Sequence, residues 1–162
     1  MADMKTRSGA AAPLLERLID DRPLDHAEPR PLRVVGPAEL RAAVGRDLAR
    51  LLNTRSPVAW NEWSDRERTV LDYGVPDFTA LHPANSGDRM RLGAMVEQCI
   101  TTFEPRLRSV RVHVQPRGAG DPRTLMLRID ALLAVDDIRE PVSFPVVLRE
   151  RGEVVVEVSG DE

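Results

Sequence analysis

Residues 92–115, LGAMVEQCITTFEPRLRSVRVHVQ, change hydrophobic period in mid-stretch, and that change decides the fold class. Up to Phe103 the apolar residues Leu92, Met95, Val96, Cys99, Ile100 and Phe103 share one side of a 3.6-residue period, which predicts a helix capped by Ser86 or Asp88. From Val110 the period is two. Val110, Val112 and Val114 alternate with Arg111, His113 and Gln115, the pattern of a strand with one buried face. Pro105 separates the two regimes, because it lacks an N–H and its ring collides with the preceding helical turn.

On the C-terminal side, the chain turns between Pro116 and Pro122, and three more apolar runs follow. Leu125 to Leu133 alternate as a long strand, Val142 to Leu148 form a third and Val154 to Val158 a fourth, the last two joined at Arg151-Gly152. Pro145 lies inside the third, which predicts an edge position or a bulge there. An edge offers backbone groups that can accept a strand from another chain. On the N-terminal side, Gly36-Pro37 opens a helix with Glu39 in its first turn, and Leu40, Val44, Leu48, Leu51 and Leu52 keep the helical period to Asn53. Helices followed by a meander give an α+β fold: two main helices packed on an antiparallel sheet of about four strands.

Residues 1–35 read as an arm before a domain spanning 36–162. MADMKTRSGAAAP is small and polar and is expected to lack regular structure. Leu14, Leu15, Leu18 and Ile19 then place one apolar stripe on a short helix that needs a surface to dock on, and Pro23, Pro29, Pro31 and Pro37 punctuate an extended linker.

A length of 162 residues holds one domain of ordinary size, and 42% hydrophobic with 30% charged residues excludes a disordered or collagen-like chain. A net charge of −3 and 4% aromatic content give neither a field for a nucleic-acid backbone nor rings to stack bases. Lys5 is the only lysine against 22 arginines, a bias that codon usage explains and that selects no function. Cys99 stands alone, so no intrachain disulfide can form and a cysteine metal cluster is excluded. No stretch approaches the ~18 apolar residues of a membrane span, and a cytoplasmic location is expected.

Chemistry has few candidates. His26, His82 and His113 have no ligand or base partner at an interpretable spacing, and His113 is expected to face solvent. Arg117-Gly118-Ala119-Gly120-Asp121 reads as a hairpin loop, and no Gly-x-Ser-x-Gly elbow occurs. No catalytic, cofactor-binding or metal-binding residue is assigned. Trp60 and Trp63 read as loop anchors and Cys99 as a small core residue. Glu104 and Arg106 stand out as opposite charges across a stiff proline. A lytic enzyme would use Glu104 as a general acid, which needs a second carboxylate ~5–9.5 Å away, and a neighbouring arginine favours the ionised carboxylate instead. A structural ion pair at the helix end and a rigid charged knob for an interface both stay open.

Four segments occur in order: Leu14-Leu15-Glu16-Arg17-Leu18; Arg46-Asp47-Leu48 running to Leu51-Leu52-Asn53-Thr54-Arg55; Val70-Leu71-Asp72-Tyr73-Gly74-Val75-Pro76-Asp77-Phe78; and Phe103-Glu104-Pro105-Arg106-Leu107. Together they resemble the TssE family of type VI secretion baseplate subunits, related to a wedge protein of contractile phage tails. Asp72 stands where many relatives carry Asn. The resemblance spans about Leu14 to Val158 and implies a non-enzymatic structural role despite the family's "lysozyme-like" label. It implies wedges formed with TssF and TssG, with TssK as a further candidate, in a sixfold baseplate that helps start the TssB/TssC sheath. By the same resemblance, Glu104, Pro105 and Arg106 match a Glu-Pro-Arg motif that contacts the wedge's core helical bundle. Leu14, Leu15 and Leu18 would dock on neighbouring wedge components, and the sheet edge would add to the first sheath ring.

Overall fold

Pro37 begins the first helix at a position whose N–H would have no helical partner, and Glu39 reaches back so that its Oε2 accepts the Gly36 N–H at 3.2 Å. This helix, α1 (Pro37–Asn53), buries Leu40, Val44, Leu48, Leu51 and Leu52, the stripe its sequence predicts. The computed structural model describes residues 10–11, 14, 34–63, 67–118, 124–149 and 153–156. The second helix, α2 (Ser86–Phe103), is capped by Asn85 rather than Ser86 or Asp88. The Asn85 side-chain oxygen accepts the N–H groups of Gly87 and Asp88 at 2.8 and 3.3 Å, while Asp88 takes the His82 N–H at 3.0 Å.

Two short strands, β1 (Ala10–Ala11) and β2 (Val34–Val35), pair antiparallel. Ala10 and Val35 are buried in the main core, so Ala10–Ala11 departs from the expectation that residues 1–13 lack regular structure. The expected arm helix lies almost wholly outside the described residues: Leu14 is helical, and Leu15 and Leu18 are not described.

The main sheet has the order β3-β4-β5-β6, antiparallel throughout, with β3 (Leu107–Pro116), β4 (Leu125–Val135), β5 (Ile138–Leu148) and β6 (Val154–Val156). Leu125, Leu127, Ile129, Leu133, Val142, Phe144 and Val146 carry the alternation that buries one face, with α2 along β3 and α1 along β5 and β6. A bulge interrupts β3 between Arg108 and Arg111, with Ser109 at φ 51°. The third strand begins at Ile138 rather than Val142, because Asp136-Asp137 makes a tight turn and Pro141 stays in register opposite Leu132. The edge or bulge expected at Pro145 is met as a local edge: β5 lies between β4 and β6, but at Pro145 it is paired with β4 alone among the described residues. Pro145 falls one residue beyond the described β5–β6 ladder, which ends at Val146 opposite Val156, so its missing N–H interrupts none of those described bonds.

Both outer strands are met by side chains from the helices. On β3, Glu97 accepts the Val112 N–H through Oε2 at 3.2 Å and the Arg111 guanidinium through Oε1 at 3.0 Å. On β6, the Asn53 amide donates to the Val154 carbonyl at 2.8 Å and accepts the Val154 N–H at 2.9 Å, imitating a neighbouring strand. A strand adding at Val112 or Val154 would have to displace these groups.

The loops between the helices pack by aromatic contacts. Trp63 is buried, lies edge-on to Phe103 at 6.4 Å and has Trp60 at 6.3 Å, in keeping with loop anchors. Gly74, at φ 120°, lets the following loop pass α1, since a Cβ there would stand 2.6 Å from the Thr54 carbonyl oxygen. The Cys99 thiol donates to the Gly74 carbonyl at 3.0 Å, and burial pushes its pKa up to about 12.

Replacing Asn53 with Ala strands both backbone groups of Val154 and should cost about 1–3 kcal/mol, read as a lower urea midpoint. A raised thiol pKa in the folded state gives stability that is complete below about pH 9 and is lost progressively as pH rises toward about 12, because the unfolded thiol ionises first. Cys99→Ala should therefore flatten the alkaline limb of the stability profile. In the folded wild type, Cys99 should resist thiol reagents at pH 8 until the chain opens.

Candidate functional site: a charged cluster at the helix–strand junction

Local sequence builds this site before tertiary packing completes it. The Glu104 N–H still donates to Ile100 O at 2.8 Å, as the last helical bond, but Pro105 cannot continue the series. Leu107 N–H then returns to Glu104 O at 3.1 Å, closing a turn, and Ala134 N–H of β4 donates to Arg106 O at 2.8 Å. The chain thus reverses over Pro105 and enters β3 with Glu104 buried and Arg106 only 20% exposed in its side chain.

Within that turn, Arg106 Nε donates to Glu104 Oε1 at 2.6 Å and Nη2 donates to Glu104 Oε2, a two-pronged pairing across the proline. Nη2 also reaches Asp47 Oδ2 on α1 at 2.6 Å, and Asp47 Oδ1 accepts from Arg50 Nη1 at 2.6 Å. Four charges therefore alternate in sign from Arg50 through Asp47 and Arg106 to Glu104. Burial lowers the Arg106 pKa, but hydrogen bonds to Glu104 and Asp47 outweigh it and leave the guanidinium held above its ordinary value. Tyr73 borders the cluster, its ring 5.4 Å from that of Phe103. Burial first, and then the negative charge of Asp47, push its phenol up.

Of the residues expected to act at an interface, Glu104, Pro105 and Arg106 are brought together here. Leu14 is 68% exposed and takes no part in the cluster, and Leu15 and Leu18 lie outside the described residues. Sequence reasoning missed Asp47 and Arg50. Their spacing of three on a helix is a readable local pair, but nothing in it names Arg106, 59 residues away.

Acid–base work is poorly served by this arrangement. Both Glu104 oxygens accept from Arg106, and both Asp47 oxygens accept from arginines, so neither carboxyl is presented to a substrate. A groove of about 600 Å³ lies elsewhere, between α2 and the outer edge of β3, with Met90, Gly93, Glu97 and Val114 in its walls. His113 is exposed on the sheet's other face, 3.8 Å from Asp130. Asp130 accepts from Ser143 at 2.7 Å and from Arg128 at 2.9 Å. The Ser143 hydroxyl donates to a carboxylate there rather than to an imidazole, which is not the order of a nucleophile relay. The described residues include no group of three or more His, Cys, Asp or Glu placed to hold a metal.

Replacing Arg106 with Ala leaves two carboxylates facing a gap and should destabilise the fold by about 2–4 kcal/mol, between the values for surface and buried pairs. Glu104→Gln keeps acceptor capacity toward Arg106 and should cost less. Arg106→Lys should not restore the wild type, because an ammonium lacks the planar fork. Chemical denaturation of the three variants gives the ranking; an Ala variant as stable as wild type would remove the cluster's structural role.

The geometry can be set beside known proteins. No curated protein matches this chain. Among solved structures, a chain of "The baseplate complex from the type VI secretion system" is similar at 20% identity and a TM-score of 0.49, over 70% of this chain and 98% of that chain. The family model for baseplate wedge protein gp25 matches residues 38–137, well over half of the 162, and spans α1, α2, β3 and β4 with every member of the charged cluster. The chain therefore belongs to the baseplate wedge protein gp25 family.

Proposed function

We propose that this protein is a non-enzymatic subunit of a type VI secretion baseplate, located in the cytoplasm, that joins TssF and TssG in the wedge and helps start assembly of the TssB/TssC sheath. The observation that carries this reading is the Asp47–Arg106–Glu104 cluster, found within the span that matches the wedge family. A prepaid network of alternating charges suits docking better than turnover, because the partner meets a surface whose internal ion pairs are already formed. Residues 36–162 serve as the wedge domain. Residues 1–35, with Leu14, Leu15 and Leu18, serve as an arm that docks on neighbouring components, TssK among the candidates; the exposure of Leu14 supports this. No cofactor is required, and no nucleic acid or membrane insertion takes part.

Co-purification tests the reading. Wild-type protein should retain TssF and TssG, and Glu104→Ala combined with Arg106→Ala should lose them while keeping its far-UV circular dichroism. Removing both residues together leaves no buried Glu104 carboxylate without its partner, so the fold is disturbed less than by Arg106→Ala alone. Unchanged retention would show that the motif is not the contact. Cleavage of purified peptidoglycan by the wild type and its loss in Glu104→Gln would replace a structural role with an enzymatic one.

A further inference from the structure

Val70 and Leu71 are 86% and 82% exposed, more than any other large apolar side chain among the described residues. Single exposed aliphatic residues are ordinary, but these two are adjacent and their backbone is locked. They sit on a 3₁₀ turn, Val70–Asp72. Thr69 Oγ1 accepts the Leu71 N–H at 3.3 Å, and Asp72 Oδ2 accepts the Thr69 N–H at 2.9 Å and its hydroxyl at 3.2 Å. Asp72 itself is buried, and its carbonyl accepts the Ser56 hydroxyl at 2.8 Å. Three residues on, the Val75 N–H donates to Thr54 O at 2.9 Å, tying the segment to the end of α1. The chain therefore projects two aliphatic side chains from a turn that needs no further ordering on binding.

The position of this turn connects it to the charged cluster. Tyr73 N–H donates to Val70 O at 3.4 Å, and the Tyr73 ring lies 5.4 Å from that of Phe103, the residue before Glu104. Tyr73 lies within electrostatic reach of Asp47, Glu104 and Arg50, which ties the turn to the cluster and its two cations, Arg50 and Arg106. The Arg50 side chain is 44% exposed, and Arg106 Nη1 makes no hydrogen bond among the described residues.

We infer that Val70 and Leu71 form an apolar knob that seats in the seam between two helices of the partner engaging Arg106, with an acidic side chain of those helices meeting Arg50 and Arg106 Nη1. The inference rests on the wedge-docking reading and adds a specificity element to it. A convex aliphatic pair calls for a concave apolar seat, which neighbouring helices supply as a hole between side chains. The two guanidiniums call for a carboxylate at its rim.

Binding of the full chain to purified TssF–TssG, followed by biolayer interferometry, tests it. Val70→Ser with Leu71→Ser should weaken binding about 100-fold, as two aliphatic side chains lose their burial, with the melting temperature unchanged. Val70→Ile with Leu71→Met should bind like wild type, and Arg50→Glu should weaken binding with a reduced salt dependence. Serine-variant binding within threefold of wild type overturns the knob. If the Glu104→Ala, Arg106→Ala variant still loses the partner in that case, the wedge reading stands without it. Failure of the wild type to bind overturns both.

Discussion

The guanidinium of Arg106 clamps the turn that joins α2 to β3 and ties it to the middle of α1, with which that turn shares no backbone hydrogen bond among the described residues. Its grip on Glu104 is local, set by a proline that forces the turn. Its grip on Asp47 is long-range and fixes how α1 lies against the helix–strand junction. A planar fork with several donors can satisfy two carboxylates at once, which a lysine cannot. Because three of its donors are spent within the fold, the group is pre-positioned rather than free to search, and Nη1 alone makes no hydrogen bond among the described residues.

Around that pin the architecture follows from burying one face of a four-stranded sheet beneath two helices. The apolar face is covered by stripes from α1 and α2, and the aromatic contacts of Trp63, Phe103 and Tyr73 close the loops at the junction end. The sheet edges are treated with equal economy. Asn53 and Glu97, at the end of one helix and the middle of the other, each take up backbone groups of an outer strand. A sheet edge that a side chain occupies is less available for chance pairing with another chain. The helices thus do two things at once, burying the face of the sheet and occupying its rims.

Interfaces formed by this chain are expected to be local and preformed, in keeping with its small net charge. The cluster, the capped turn carrying Val70 and Leu71, and the loop locked by Gly74 all lie between α1 and the start of β3 in the sequence. In space they surround the same junction. A surface built this way owes its rigidity to hydrogen bonds within each turn, and its composition to side chains drawn from both helices and the loop between them.

Much of this was legible from residues alone. The switch from a period of 3.6 to a period of two at Glu104-Pro105-Arg106 specified helix, break and strand, because backbone geometry places side chains on one stripe or on alternating faces. The same reading singled out Glu104 and Arg106 as opposite charges across a proline and left an ion pair and an interface knob as alternatives; the structure pairs them. Caps and edges were harder. Asn85 displaced the two expected caps by one or three positions, and Pro145 marks an edge only locally, because the described β6 pairs with β5 from Val146 onward. Only the tertiary structure decided that Asp47 is the other anchor of Arg106, that Asn53 and Glu97 occupy the strand edges, and that Val70 and Leu71 stand out from a locked turn. These depend on which faces meet when helices settle on a sheet. That is set by the summed burial of many apolar side chains and has no signature in the spacing of the few polar residues that end up touching.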